Sequence, residues 1–186
     1  MIGDVAVRGA GRKGLGVFAL RQFDKGEFIF RRRYGRIVAN TRILSLTREE
    51  RRHLCEIDYA RSAVLLAPGC YLNHSCEPNA MRSGVKVFAW RRIRMGDEIT
   101  IDYRLNAFSG DRWKCSCRAA SCTGEIVGDF FSLSPSTQSE YLQFAPRFIQ
   151  REYRRRLANS RKRVGVAGAP RRLSRVARGS GLRASR

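Results

Sequence analysis

The sequence predicts a mainly β fold with few, short helices. Short runs rich in Val, Ile and Phe recur along the first hundred residues. Turn signals containing Gly separate them. Helical periodicity appears mainly after residue 130. The chain has 186 residues, which suits one domain of ordinary size plus an extension. It is 43% hydrophobic, enough to bury a core, so wholesale disorder is excluded.

The elements follow in order. Val5-Ala6-Val7 reads as a strand that leads into the Gly-rich loop Gly9 to Gly16. Val17-Phe18-Ala19-Leu20 returns from it. Glu27-Phe28-Ile29-Phe30 follows the turn Asp24-Lys25-Gly26, and Arg36-Ile37-Val38 reads the same way. Thr47 is placed to cap a helix, with Glu50 at the capping-box position. Val85 to Ala89 and Glu98 to Ile101 are further strands, the second after the turn Met95-Gly96-Asp97. Ser134-Pro135 fits an N-cap with Pro at the first helical position. Tyr141, Leu142 and Phe144 are candidates for the core, and Pro146 interrupts. Phe148, Ile149, Tyr153 and Leu157 are spaced for one face of a second helix. Beyond about Arg161 the composition predicts a disordered tail. No internal repeat is evident.

The net charge is +21, from 37 Lys+Arg against 16 Asp+Glu. Residues 1–146 carry 23 basic and 15 acidic side chains, a net of +8, and residues 147–186 carry 14 and one, a net of +13. An acidic partner such as DNA or RNA is the expectation for that extension. Of the basic residues 32 are Arg, whose fork suits phosphate oxygens; a GC-rich genome explains the same bias. The start lacks a basic stretch followed by an apolar one, and no apolar run is long enough to span a bilayer. The expected location is intracellular: cytoplasm or nucleoid for a microbial protein, nucleus or chromatin for a eukaryotic one. Thiols stay reduced there, so six Cys suggest metal before disulfides.

Cys115, Cys117 and Cys122 form C-x-C-x4-C, with Cys76 about forty residues upstream. Four thiolates suit tetrahedral structural zinc with no open position. Free buried thiols and two disulfides are the alternatives. Cys55 and Cys70 sit beside apolar residues and read as core. Gly14-Leu15-Gly16 alone is a turn signal, and it lacks the third Gly and the βαβ context of a dinucleotide site. Two His leave little material for a His-based metal site, and Ser75 lacks a nucleophile elbow. Trp113, Phe130 and Phe131 read as packing around the cysteine cluster, with adenine stacking the alternative for Trp113.

In their order these pieces resemble the SET-domain family of protein-lysine methyltransferases. The carrying residues are Gly14-Leu15-Gly16-Val17-Phe18-Ala19, then Tyr71 to Asn79 with its N-H-S-C-x-P-N core, then Gly96-Asp97-Glu98-Ile99-Thr100-Ile101-Asp102-Tyr103. Cys115, Cys117 and Cys122 followed by Gly124 match the family's post-SET zinc motif. The resemblance spans roughly residues 5–130. It implies several small sheets, a pseudoknot of the N-H-S-C and D-Y segments, and a post-SET zinc knuckle. It implies a SET domain over 1–108 and a post-SET segment over 109–130; capping, spacing and composition predict a helical extension over 131–160 and a basic disordered tail over 161–186.

The resemblance also implies roles. Lys13, Gly14, Leu15 and Gly16 match the loop that offers backbone to S-adenosylmethionine, and Asn73 and His74 match its other contacts. Tyr103 matches the catalytic tyrosine. Cys76, Cys115, Cys117 and Cys122 match the zinc ligands. Tyr59 and Ile101 are candidates for the lysine channel. The chain departs from the family's pattern at Arg33, Arg36, Cys70 and Ile101, where Tyr, Glu, Arg and an aromatic residue are common.

The chemistry is consistent with these roles. Methyl transfer is in-line attack by a neutral amine on a sulfonium carbon, so alignment supplies much of the acceleration. Desolvation and the sulfonium charge both favour the neutral amine. Tyr103 orients it without needing to ionise. The implied activity is S-adenosylmethionine-dependent methylation of a lysine on a protein, such as a histone or another chromatin- or ribosome-associated protein. The alternative is a basic nucleic-acid-binding protein that uses the same scaffold without activity.

Overall fold

The computed structural model describes residues 3–167, with side chains to Ser160. The strands are β1 (Val5–Gly9), β2 (Leu15–Ala19), β3 (Phe28–Arg31), β4 (Tyr34–Ala39), β5 (Leu54–Glu56), β6 (Arg61–Leu65), β7 (Asn73–His74), β8 (Ala80–Ser83), β9 (Lys86–Ala89), β10 (Glu98–Ile101), β11 (Phe108–Lys114) and β12 (Glu125–Asp129). The helices are α1 (Arg48–Arg52), α2 (Pro135–Tyr141) and α3 (Arg147–Ala167), joined by short 3-10 turns. The chain divides into two units, Met1–Glu152 and Tyr153–Arg186. No helix among the described residues is long and apolar enough to cross a membrane.

Among the described residues the β structure forms four small sheets, as expected: β1-β2-β10-β7, β3-β9-β8, β4-β6-β5 and the hairpin β11-β12. β1 and β2 pair antiparallel through a 3-10 turn at Gly11–Lys13, which Gly14 leaves with φ +78°. β7 and β10 pair in parallel, Asn73 opposite Thr100 and His74 opposite Ile101. The N-H-S-C and D-Y segments therefore lie side by side although more than twenty residues separate them.

The structure contains a repeat that the sequence reading did not find. Ala19 to Ile29 and Ala89 to Ile99 adopt the same turn-then-strand path. Phe23 and Ile93 exchange backbone bonds of 2.9 Å each. Gly26 donates to Ala89 at 2.8 Å and Gly96 to Ala19 at 2.8 Å. Both glycines have positive φ, +86° and +88°, a conformation that side chains rarely adopt. The two copies fix each other across a core that includes Val17, Phe23, Val87, Ile93 and Ile99, all fully buried. Burying side chains of this size stabilises by about 1.5–3 kcal/mol each.

The helix starts follow their capping residues. Thr47 accepts from the Glu50 N–H while Glu50 accepts from the Thr47 N–H, a complete capping box. Ser134 accepts from the Thr137 N–H ahead of Pro135. α3 buries Phe148 and Ile149 but leaves Leu157 45% exposed, so the expected apolar face covers only its first turns. The helix runs to Ala167, beyond the 160/161 boundary expected from composition. The rest of the basic tail, and with it the expected DNA or RNA contact, lies outside the described residues.

Candidate active site

The parallel pair β7-β10 is the centre of the site. It places Asn73 and His74 beside Thr100 and Ile101, and the chain then turns into a 3-10 helix that begins at Tyr103. Asp102 caps that turn by accepting from the Arg104 N–H at 3.0 Å. Its carboxylate also takes two guanidinium bonds from Arg104, 2.9 and 2.7 Å. Asp102 is 1% exposed, so this paired charge is held away from water.

Tyr103 is tied at both ends. Its hydroxyl donates to the Leu72 carbonyl at 2.7 Å, and its backbone N–H donates to His74 Nδ1 at 3.2 Å. Burial, helped by the charge of Glu98, pushes the phenol up to about 12. Tyr103 is thus a neutral hydrogen-bonding group at physiological pH. Its ring and Ile101 line a cavity of about 650 Å³, together with Leu72, Cys70, Asn106 and Trp113. That volume suits a small ligand or an inserted side chain.

The Gly-rich loop leads into β2, which pairs with β10. Lys13 forms an ion pair with Glu98, and Asn73 Nδ2 donates to Glu98 Oε1 at 2.8 Å and to the Leu15 carbonyl at 2.9 Å. Gly16 sits where no side chain fits: a Cβ there would lie 2.8 Å from Glu98 Oε1 and 2.9 Å from the Ala10 Cβ. Gly14 faces open space, and Leu15 is 46% exposed. The structure therefore brings Lys13, Gly16 and Asn73 onto Glu98, ties the Leu15 carbonyl to Asn73, and leaves Gly14 facing open space. This cradle fits the cofactor that the sequence resemblance implies.

Glu98 received no role from the sequence. Its signal was present, because it lies inside the third motif. Asn79 was missed in the same way: it donates to the Glu98 carbonyl and accepts from the Thr100 N–H, both at 2.8 Å, and so locks the second motif to the third.

The cysteines meet where β7 leaves the sheet. Donor atoms of His74, Cys76, Cys115 and Cys117 lie within 4.8 Å of one another. Cys76 and Cys115 sulfurs are 4.0 Å apart. Thiolates at about 2.3 Å around tetrahedral zinc have sulfurs about 3.8 Å apart, so the spacing fits. Cys122 lies against the other three thiols, and its sulfur accepts from the Gly124 N–H at 3.4 Å. Burial pushes the thiols of Cys76 and Cys115 up, Cys115 to about 11. Burial opposes ionisation at Cys117 too, but the N–H groups of Cys76 and Ala119 and the neighbouring thiols overcome it and bring Cys117 to about 6. A cluster that already favours one thiolate suits a cation.

His74 joins this cluster through one ring nitrogen and Tyr103 through the other. Its Nδ1 accepts the Tyr103 N–H, so Nε2 carries the ring proton and points it at Cys76 Sγ, 3.3 Å away. In that tautomer Nε2 offers the cluster a proton and not a lone pair; Cys122, which lies against the three thiols, is the other candidate for a fourth position. Burial holds the imidazole down at about 4, so it is neutral. The 3.6 Å approach of Nδ1 to Asp102 is then a contact of two acceptors and not an ion pair.

The remaining sites divide. Tyr59, a channel candidate, stands apart from the cavity wall. Its hydroxyl donates to the Phe148 carbonyl at 3.2 Å, and its ring meets Phe108 and Phe148 edge-on at 5.0 and 5.1 Å. Trp113 packs on Gly128 of β12, where a Cβ would lie 2.8 Å from the indole, and also reaches the cavity. Phe130 is fully buried against Phe131, which supports packing. Cys55 is buried, and Cys70 is half-buried in the cavity wall.

Comparison with known proteins agrees with this arrangement. The family model described as "SET domain" matches residues 14–104. A histone-lysine N-methyltransferase, H3 lysine-36 specific, from Eremothecium gossypii is 29% identical over 164 residues, 77% of this chain and 24% of that protein. Histone-lysine N-methyltransferase Set2 of Drosophila melanogaster is 30% identical over 142 residues, 63% of this chain and 6% of that protein. The chain thus spans a quarter or less of these relatives. The methyltransferase domain of human histone-lysine N-methyltransferase SETMAR has the same fold, with a TM-score of 0.53 at 24% identity, over 67% of this chain and 58% of that one.

Proposed function

We propose that this chain, whose residues 14–104 match the SET-domain model, is an S-adenosylmethionine-dependent protein-lysine N-methyltransferase. The observation that carries this is the position of Tyr103. It lines the cavity, is hydrogen-bonded to Leu72 and His74, and feels the charge of Glu98, the residue that Lys13 and Asn73 hold. A methyl group held at one side and an amine entering from the other would meet beside it.

When bound, S-adenosylmethionine supplies an electrophilic methyl group on a sulfonium. Lys13, Gly14, Leu15, Gly16, Asn73 and His74 would hold it, with Glu98 fixing Lys13 and Asn73 in place. The Tyr103 phenol stays protonated, so it orients the amine and does not take its proton. Burial in the cavity favours the uncharged lysine, whose proton leaves to water through the cavity mouth. Ile101 offers an aliphatic wall to the lysine stem and no hydrogen bond to the amine. Zinc held by Cys76, Cys115, Cys117 and Cys122 would tie the β11-β12 hairpin to β7 and so shape one side of the cavity. The proteins it resembles act on histones by their names, and a histone or another protein bound to nucleic acid is the substrate class proposed for a chain this basic.

Calorimetry tests the cradle. The wild type is expected to bind S-adenosylmethionine, and Asn73→Ala to bind it at least tenfold more weakly. A wild type that binds neither the cofactor nor its demethylated product removes the proposal.

A further inference from the structure

Two buried arginines, each within the other's electrostatic reach, have no role in the site described above. Arg32 follows β3 and Arg82 lies on β8, the two strands that flank β9. They are 2% and 3% exposed. Neither has a carboxylate within ion-pair distance among the described residues. Arg32 donates to the Gly84 carbonyl at 3.1 Å and to the Cys55 sulfur at 3.6 Å. Its Nε has no hydrogen-bond partner, and neither do Nε and Nη2 of Arg82. Burial and the positive charge of Arg32 together bring Arg82 down to about 10, because nothing nearby is negative enough to offset them.

Such a pair is costly. A buried charge without a partner loses several kcal/mol of hydration, and each orphan N–H adds its own penalty. Arg32 lines the 650 Å³ cavity with Cys55, Ser62 and Gly69, whereas Arg82, 3% exposed, is not part of that lining. A Cβ on Gly69 would lie 3.0 Å from the Arg32 Cγ, so glycine there gives the side chain its path along the wall.

We propose that Arg32, backed by the buried charge of Arg82, is a binding site for an oxyanion, a phosphate or carboxylate group that enters the cavity. The planar guanidinium of Arg32 suits such a group. Two sources share this chemistry: a free inorganic anion, and an acidic side chain near the lysine of a peptide in the cavity.

Thermal unfolding of the full chain tests this without reference to methyl transfer. Inorganic phosphate is titrated against chloride at constant ionic strength for wild type, Arg82→Met and Arg32→Met. Phosphate stabilises all proteins weakly by exclusion, so the difference between wild type and each substituted protein is the readout. The wild type is expected to show a saturable rise in Tm. At a hundred times its dissociation constant, that rise should exceed the one in either substituted protein by roughly 5–11 °C. In chloride, Arg82→Met is expected to melt at or above the wild type, since it removes an unpaired buried charge. Should one substituted protein fail to fold, the other reads the same difference. A second arm measures binding of lysine peptides with Glu or Gln beside the lysine. Preference for Glu that is lost in Arg82→Met identifies the acidic side chain; a phosphate effect alone identifies the free anion. Equal phosphate dependence in all three proteins, with no preference for Glu, overturns the proposal.

Discussion

Gly16→Ala isolates the cradle from the rest of the fold. Gly16 lies in β2 with ordinary strand geometry, so alanine brings no backbone strain. The whole effect is packing. The new methyl would lie 2.8 Å from Glu98 Oε1, 2.9 Å from the Ala10 Cβ and 3.1 Å from Asn73 Nδ2. Ala10 cannot rotate away, and Glu98 and Asn73 hold Lys13 and the Leu15 carbonyl. Overpacking of this kind costs about 1–3 kcal/mol, or roughly 2–12 °C in Tm for a chain of this size. Relief requires Glu98 and Asn73 to move, which should weaken S-adenosylmethionine binding at least tenfold. Gly9→Ala is the control, because its Cβ meets nothing within 4 Å. The assays are thermal unfolding and calorimetric titration of the cofactor. Gly16→Ala with wild-type Tm and wild-type affinity would refute the assignment of this loop.

Three further outcomes are expected. Metal analysis of protein purified under reducing conditions should give one zinc per chain; Cys115→Ser should lose it and lower the Tm, whereas zinc-free wild type of unchanged stability contradicts the four-cysteine site. Asp102→Ala breaks the buried pair with Arg104 and removes the cap on the Tyr103 turn, so it should cost about 3 kcal/mol and roughly 6–12 °C in Tm; a loss under about 2 °C would show that the pair is replaceable by water. Tyr103 and Tyr141 should ionise near pH 12, later than an ordinary tyrosine, in an ultraviolet titration. Their folded values lie above the unfolded value near 10, so their contribution is complete below about pH 10 and lost as pH rises towards 12. Two late tyrosines absent from the titration would show that both are solvated.

Much of the site was legible because its residues lie in contiguous motifs. Asn73, His74, Cys76 and Tyr103 lie in motifs picked out by their resemblance to a family, and the structure brings those motifs side by side, while the capping signals of Thr47 and Ser134 act over three or four residues. What depends on distant partners was less visible. Glu98 acts through Lys13 and Asn73, which only the fold brings to it. The repeat of Ala19 to Ile29 in Ala89 to Ile99 keeps few identities, because backbone bonds and two positive-φ glycines define it. Tyr59 lies in a stretch of the chain suited to the channel, but Phe108 and Phe148 draw its ring into their own cluster. The helical extension outran its compositional boundary, since apolar spacing ended at Leu157 while the helix continued to Ala167.

The most direct test is transfer of a labelled methyl group from S-adenosylmethionine to a histone mixture, with the modified residue located by mass spectrometry. Zinc-loaded wild type should place the label on the side-chain nitrogen of a lysine, and Tyr103→Phe, folded and still binding cofactor, should lose at least a hundredfold in rate. Undiminished transfer by Tyr103→Phe, or label found on a residue other than lysine, would contradict the account.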